Sequence, residues 1–283
     1  MKIEMGESLF YSWLRHVKEC QIVQTNWKVS SQWTLSGANV LQEMMQVVDK
    51  HYSEKYSYAV FKKNTSLTQL LQQGECDVLG VSIQSDETKY YAVDVAFHEA
   101  GLNYGSRDTT VMKVIEKCAR TAFCLYGYMN TKEAEIIFAS PKINPAVLVS
   151  LVPCIEDLNE IFANNGYDFT FRIIANEEYN NLVLQPILLA SGGVADTSEL
   201  FLRSYQMYRM FSDKKTKQSV NEMLDCTDIG VYRELKIGQL VQRVLVPMLC
   251  KGCASKAEID AMQTKEYSKQ HFDLQYPLLK TAD

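Results

Sequence analysis

Two short apolar runs joined by a polar loop constrain the fold of this chain more than any other feature. One run extends from Asp77 to Ile83, and the other extends from Tyr90 to Phe97. The loop between them, residues 84–89, contains Ser, Asp, Thr and Lys, which suit a turn. Short runs rich in β-branched and aromatic residues are typical of strands. The segment therefore predicts a β-hairpin.

Each strand of this hairpin contains an acid where an apolar residue would be expected. Asp77 begins the first strand, and Asp94 lies near the end of the second. A carboxylate in such surroundings is costly to desolvate unless a cation compensates it. Side chains alternate along a strand, so Asp94 and His98 should share one face. If Asp77 faces them from the neighbouring strand, the three side chains form an oxygen-rich place for a divalent metal.

Helical and extended patterns alternate through the first 175 residues. Apolar residues at helical spacing predict helices over residues 6–20, 36–52, 66–73, 109–128 and 146–162. Extended patterns predict further strands over residues 21–29, 56–61, 135–139 and 168–175. This order predicts an α/β layered domain with a mixed sheet.

The pattern changes beyond residue 176. The charged segment DKKTKQS, residues 213–219, is predicted to be a structureless connector. The rest of the chain is typical of a small helical module, with an amphipathic helix over residues 236–249. We therefore predict two domains: an α/β domain with an N-terminal helical extension over residues 1–213, and a C-terminal helical module over residues 219–283.

The composition is that of a folded globular protein without a general attraction for nucleic acid. Of the 283 residues, 47% are hydrophobic, and the net charge is −5. An acidic chain lowers the expectation of nucleic-acid binding, although a local basic groove is compatible with an acidic remainder. No apolar run has the length of a spanning helix, and most of the eight cysteines lie inside apolar or helical patterns. We therefore expect a soluble, reduced, cytoplasmic protein with no membrane partner.

A family resemblance rests on the hairpin and on the elements that flank it. A helix, a hairpin with one acid in each strand, a basic helix and a further strand follow one another over residues 36–140. This order resembles the core of the PD-(D/E)xK nuclease superfamily, which has the restriction-endonuclease-like fold. The resemblance implies a mixed sheet flanked by helices, two acids that hold Mg²⁺, and a lysine two residues after the second acid that helps to activate water.

Carried onto this sequence, the resemblance makes Asp77 the first acid and Asp94 the second. It matches Glu43 to a glutamate that often lies on the preceding helix. These three residues are the expected ligands of Mg²⁺, or of Mn²⁺ in its place. The sequence departs from the family pattern at the lysine position, which is occupied by Ala96.

The sequence leaves the missing catalytic role open. The cation comes either from Lys113 or Lys117 on the next helix, or from Lys89 at the hairpin turn. Alternatively, His98 acts as the base, because its unperturbed pKa of about 6.5 suits proton transfer at neutral pH. Glu99 follows directly and reaches the metal if the chain turns there. The remaining alternative is an inactive site.

These expectations combine into a Mg²⁺-dependent deoxyribonuclease that hydrolyses phosphodiester bonds in restriction or DNA processing. DNA is the expected partner, and a homodimer is plausible by resemblance. Two alternatives stay open: a catalytically inactive module on the same fold that binds nucleic acid or protein, and an enzyme that acts on a small molecule. The expected catalytic residues are Asp77, Asp94, His98, Glu99 and Lys113.

Overall fold

The computed structural model describes residues 5–61, 66–84, 87–194, 197–219, 255–272, 275–277 and 279. The chain divides into two compact units, Met1–Asp213 and Lys214–Asp283. The first unit contains a β-sheet with its flanking helices, and the described part of the second unit is helical.

Five strands form one open, mixed sheet in the first unit. They lie in the order β1-β2-β3-β4-β5. The β1-β2 and β2-β3 pairs are antiparallel, whereas the β3-β4 and β4-β5 pairs are parallel. The prediction of an α/β domain with a mixed sheet flanked by helices is confirmed, and the predicted hairpin is β2-β3. The strands are β1 (Ile22–Lys28), β2 (Glu75–Gln84), β3 (Glu87–Val95), β4 (Glu133–Ser140) and β5 (Asp168–Ala175).

Helices lie before, between and after the strands. Side-chain caps begin three of them. Ser66 accepts a hydrogen bond from the amide of Gln69, Ser106 accepts one from the amide of Thr109, and Asn144 accepts one from the amide of Ala146. A π-helix, Asn180–Leu184, lies between two short helices that follow β5. The helices are α1 (Met5–His16), α2 (Ala38–Tyr56), α3 (Leu67–Gln72), α4 (Arg107–Met129), α5 (Pro145–Asn164), α6 (Asn176–Tyr179), α7 (Gln185–Ala190) and α8 (Leu200–Ser219).

Both faces of the sheet are covered. On β4, Ile136 and Phe138 belong to one apolar cluster, and Ile137 and Ala139 belong to the other. The first cluster packs the sheet against α2, α3, α4 and α5, and the second packs it against α1 and the helical segments that follow β5. Burial on both faces explains why the central strands are nearly continuous apolar runs rather than strictly alternating patterns.

Two predictions about individual elements are wrong. The strand predicted at residues 56–61 does not form, because α2 continues to Tyr56 and is capped by Ser57. Ser57 has a φ of 59°, and its amide donates to the carbonyl of Ser53. The charged segment 213–219, predicted to be a connector, is the last part of α8. Lysine and glutamine are good helix formers, and the segment contains no glycine or proline that would end the helix.

The described part of the chain beyond α8 contains two short helices, α9 (Lys256–Met262) and α10 (Lys265–Phe272). Ser255 and Glu258 form a reciprocal capping box at the start of α9. The predicted helix over residues 236–249 lies outside the described residues.

The cysteines within the described residues are all free and buried. Burial raises the pKa of the Cys76 and Cys118 thiols, so these two act as small apolar side chains. Within the same described ranges, no helix combines the length and the apolar character that crossing a membrane requires.

Candidate active site

Asp77 and Asp94 take neighbouring positions at the end of the hairpin that lies away from its turn. In the β2-β3 ladder Val78 pairs with Val93, and the two aspartates occupy the next position on each strand. Asp77 Oδ2 accepts a hydrogen bond of 2.6 Å from the backbone amide of Val95. A side-chain oxygen thus takes the place of a strand carbonyl, and the regular ladder ends here.

Asp94 is buried beneath α4, which supplies its partners. Only 3% of Asp94 is exposed. Lys117 Nζ lies 3.3 Å from Asp94 Oδ1, and the hydroxyl of Thr121 donates to Asp94 Oδ2 at 3.4 Å. Lys117 and Thr121 are four residues apart and so lie on the same face of the helix. The helix therefore compensates the buried carboxylate with one cation and one hydroxyl donor.

The two aspartates and Lys117 act as one electrostatic unit. Burial and the neighbouring charge of Asp94 raise the pKa of Asp77 to about 6, although the Val95 amide and Lys117 act in the opposite direction. Burial also disfavours the charged form of Lys117, but Asp94 and Asp77 outweigh that effect and raise the pKa of Lys117. Lys117 is therefore a cation throughout the physiological range, whereas Asp77 changes charge close to neutral pH.

Sequence reasoning missed a third acid, Glu7, which approaches the pair from α1. Glu7 is 9% exposed, and its Oε2 accepts a hydrogen bond of 3.1 Å from Asn26 Nδ2. Asn26 has a positive φ of 51° and lies opposite Asp77 in the register of β1 and β2. After burial and Asp94, the charge of Glu7 also raises the pKa of Asp77. The sequence feature that could have identified Glu7 is its position in the first turn of the opening helix, beside the apolar face of that helix.

The loop after β3 carries two of the predicted catalytic residues. β3 ends at Val95, so the alternation that was expected to aim His98 at the aspartates does not continue that far, and both His98 and Glu99 are exposed. The ring of His98 meets the ring of Tyr104 edge-on at 5.9 Å. Lys113, also exposed, has its Nζ 5.0 Å from the centre of the same ring.

Tyr104 connects this loop with the acid pair. Burial raises the pKa of its hydroxyl; Lys117 opposes the shift, and the charges of Asp94 and Asp77 add to it. The tyrosine therefore lies within electrostatic reach of both aspartates, with His98 and Lys113 packed against its ring.

Two other predicted residues lie elsewhere. Lys89 precedes Asp94 by five residues on β3, which corresponds to about 17 Å along a strand, and its Nζ lies 3.3 Å from Glu87. Glu43 is exposed on α2, and no hydrogen bond or ion pair of the described residues joins it to either aspartate. Of the three lysines that the sequence left open, Lys117 is the one that contacts Asp94.

The donor set of this site suits one hard divalent cation. Asp77, Asp94 and Glu7 supply three negative charges when ionised, and Lys117 offsets one of them. Mg²⁺ usually binds through only one or two carboxylates and keeps several waters. Among the described residues, no group of three or more His, Cys, Asp or Glu side chains is arranged to hold a metal alone. Asp77 and Asp94 are the residues that could contribute ligands to such an ion, and water and substrate would have to supply the rest of its coordination.

The geometry of the acid pair is the basis on which a function can be assigned. No protein-family model, no characterised protein and no solved structure matches this chain.

Proposed function

We propose that this protein is a Mg²⁺-dependent deoxyribonuclease that hydrolyses phosphodiester bonds at the Asp77–Asp94 pair. The observation that carries the proposal is the ionic arrangement there: the charge of Asp94 raises the pKa of the neighbouring Asp77, and a lysine lies 3.3 Å from Asp94. Two adjacent acids disfavour each other's ionisation, and a divalent cation relieves that repulsion. The lysine adds positive charge where a phosphodiester gains negative charge in the transition state.

We further propose that the first unit has a restriction-endonuclease-like fold. The supporting feature is the antiparallel β1-β2-β3 meander followed by the crossover helix α4 and by β4, which is parallel to β3. The helix glutamate of the family pattern then corresponds better to Glu7 than to Glu43, because Glu7 is the one whose charge acts on Asp77.

Each side chain of the site has its own proposed task. Mg²⁺, when bound, polarises the phosphoryl oxygen and lowers the pKa of a coordinated water. Asp77 and Asp94 would hold the ion, and their positions are fixed by the Val95 amide and by α4. Lys117 acts as an electrostatic stabiliser and not as a base, because its raised pKa keeps it protonated.

Lys117 also accounts for the departure from the family pattern. Ala96 is 5% exposed and belongs to the apolar cluster between the sheet and α4. Lys117 reaches Asp94 from that same helix. The cation thus comes from the helix that covers the strand instead of from the strand itself.

The direct test is cleavage of DNA by the purified full chain in Mg²⁺ and in EDTA, with a supercoiled plasmid and a labelled single-stranded oligonucleotide as substrates. We expect Mg²⁺-dependent cleavage that Asp94→Asn and Lys117→Met each slow by about 100-fold or more. Asp168→Asn, which changes an exposed acid at the other end of the sheet, is the matched control and should keep the parental rate. Equal rates for the parent and Asp94→Asn, or no cleavage of either substrate, would rule the proposal out.

One observation favours a second candidate, a metal-free nucleic-acid-binding module on the same fold. Because Lys117 pairs with Asp94, that carboxylate has a charge partner without any metal. Such a module would bind DNA with a steep salt dependence and no response to Mg²⁺. DNA affinity measured between about 50 and 200 mM salt, with and without Mg²⁺, separates the candidates. Binding that tightens with Mg²⁺ supports the nuclease.

A further inference from the structure

We infer that the protein binds one nucleobase in an apolar pocket beside the acid pair, so that its substrate carries an unpaired base next to the scissile phosphate. The inference rests on the proposed function for the position of the phosphate and adds a separate binding site. The pocket has a volume of about 330 Å³. Its lining is mainly apolar and aromatic and includes Gly6, Phe97, Tyr179 and Phe201. Two amide side chains, Asn176 and Asn180, also line it.

The pocket and the acid pair adjoin each other along two elements. On α1, Gly6 lines the pocket, and the next residue is Glu7. On the segment that follows β3, Phe97 lines the pocket two residues after Val95, whose amide holds Asp77. Asp94 lies beneath α4, whereas the pocket lies on the α1 face of the sheet, so a nucleotide reaches both only across the strand ends. With the phosphate at the aspartates, the base of the same nucleotide or of the next one is the proposed occupant of the pocket.

Gly6 shows how closely the two elements approach. A Cβ at Gly6 would lie 2.8 Å from Val95 Cγ1 and 4.0 Å from Phe97 Cβ. A side chain at position 6 would force the Val95 side chain to shift, so glycine favours this contact between α1 and the end of β3. The pocket wall and the position of Glu7 are thus set by the same close packing.

Phe97 is the residue that points most clearly to a ligand. It is 55% exposed, although its neighbour Ala96 is 5% exposed. A large aromatic ring that remains in water at the edge of an apolar cavity is typical of a binding surface. Bases stack on aromatic rings regardless of their sequence, because every base has a π-face.

The pocket lies where ligands commonly bind in α/β proteins, since Phe97, Pro141 and Asn176 of its lining follow the ends of β3, β4 and β5. Tyr179 is 6% exposed and is fixed by edge-on contact with Phe10, with the ring centres 5.7 Å apart. Asn180 and Leu184 come from the π-helix, a type of segment frequently found at functional sites. The pocket lies at the carboxyl ends of the parallel strands, as expected for a ligand crevice in an open α/β sheet.

The dimensions favour an unpaired base. A volume of about 330 Å³ is at the small end of the range for ligand sites, so it suits one ring system and not a duplex. A stacked and paired base cannot enter such a pocket, whereas a base in a single strand enters without the cost of unpairing.

The test measures binding without cleavage. Full-length protein carrying Asp77→Asn, which removes one carboxylate that would repel phosphate, is titrated in EDTA with labelled single-stranded DNA, single-stranded RNA and duplex DNA of one sequence. We expect the better single strand to bind at least about 10-fold more tightly than the duplex. The comparison of DNA with RNA identifies the preferred sugar.

A pair of phenylalanine variants tests the pocket itself. In the same background, Phe97→Ala should weaken single-strand binding by at least about 5-fold. Phe97→Leu, which keeps apolar contact but removes the ring, should weaken it as well. Phe211→Ala removes a ring that is 69% exposed on α8 and does not line the pocket, and it should change affinity by less than about 2-fold. Thermal unfolding checks that every variant is folded.

Three outcomes would overturn the inference: equal affinity for single strand and duplex, equal losses in Phe97→Ala and Phe211→Ala, or a Phe97→Ala variant that loses self-association but not affinity. The last outcome would assign the pocket to a second copy of the chain. Cleavage of DNA without a single-strand preference refutes the pocket and leaves the nuclease standing. Single-strand binding that depends on Phe97, without any cleavage by the parent in Mg²⁺, refutes the nuclease and leaves the pocket standing.

Discussion

Lys117 Nζ and Asp94 Oδ1 lie 3.3 Å apart, with the lysine side chain 31% exposed and the aspartate side chain 4% exposed. The lysine therefore extends from the solvent boundary to a carboxylate that is almost fully buried. This ion pair thus connects the stability of the first unit with its proposed chemistry. Lys117 remains accessible to a phosphate, while Asp94 is held in place by burial.

Replacing Lys117 by methionine should lower stability as well as activity. Methionine keeps most of the apolar stem but leaves Asp94 buried without a cation, which costs about 1–3 kcal/mol in the free energy of unfolding. Urea denaturation at pH 7.5 measures the loss. Lys113→Met changes an exposed lysine one turn earlier and should alter stability by less than about 0.5 kcal/mol. Similar values for the two variants would show that the Lys117 pair has no structural role.

Asp77→Asn should stabilise the protein at pH 8. The folded-state pKa of Asp77 is about 6, above the ordinary 3.8. The folded state therefore binds this proton more tightly than the unfolded state, and stability falls as the pH rises from about 4 to above 6. Asparagine cannot ionise, and its Oδ1 still accepts from the Val95 amide. We expect a gain on the order of 1–3 kcal/mol at pH 8 that disappears below about pH 4.

The measurement for Asp77→Asn is a series of urea unfolding curves between about pH 4 and pH 8. A gain that does not change with pH would contradict the electrostatic explanation and would point to packing instead.

Asp157→Asn should have the opposite effect. Burial alone would raise the pKa of Asp157, but hydrogen bonds outweigh burial and lower it. Because the pKa of Asp157 is lower in the folded state, its ionised form stabilises the protein at pH values above the ordinary pKa of about 4. This stability is lost as the pH falls through the pKa of the folded state. The variant should lose about 1–3 kcal/mol at pH 7 and much less at about pH 2–3. The hydrogen-bond donors, each at 2.8 Å from the carboxylate, are Lys55 Nζ, His51 Nε2 and the Tyr56 hydroxyl.

Mg²⁺ should raise the melting temperature of the parent protein, because a ligand that binds only the folded state stabilises it. At about 100 times the dissociation constant the gain is about 2.7 kcal/mol. The shift should be larger at pH 8 than at pH 5, since Asp77 must lose its proton to bind the ion. Asp94→Asn should show little shift, whereas Asp168→Asn should respond like the parent. An equal response of all three proteins would indicate that Mg²⁺ binds elsewhere.

The hairpin and its two acids were predictable because strand alternation and the pairing of consecutive strands are local properties. The expected end of β3 was less accurate. The apolar run continues to Phe97, but regular pairing ends at Val95, where Asp77 takes the strand amide. His98 therefore belongs to a loop, and its orientation depends on packing against Tyr104, which alternation cannot predict.

The helix residues of the site were harder to identify, because they depend on how helices lie on the sheet. Glu43 was chosen because its helix precedes the hairpin in the chain. However, the second partner of β2 in the sheet is β1, which comes before α2, and the glutamate whose charge acts on Asp77 lies on α1. Because β1 and β2 are far apart in the sequence, their pairing could not be predicted from local patterns, and Glu7 was therefore not identified. Lys117 was one of three open lysines, and only the orientation of α4 distinguishes it.

The hydrogen bond from Val95 to Asp77 has a further consequence, since its donor is a single backbone amide and its acceptor is the group that titrates near pH 6. A strand carbonyl never changes its charge, but this acceptor does. The amide resonance of Val95 in a nuclear magnetic resonance spectrum should therefore shift with the ionisation of Asp77. The Val95 amide therefore allows the charge state of Asp77 to be followed spectroscopically, without substrate and without turnover.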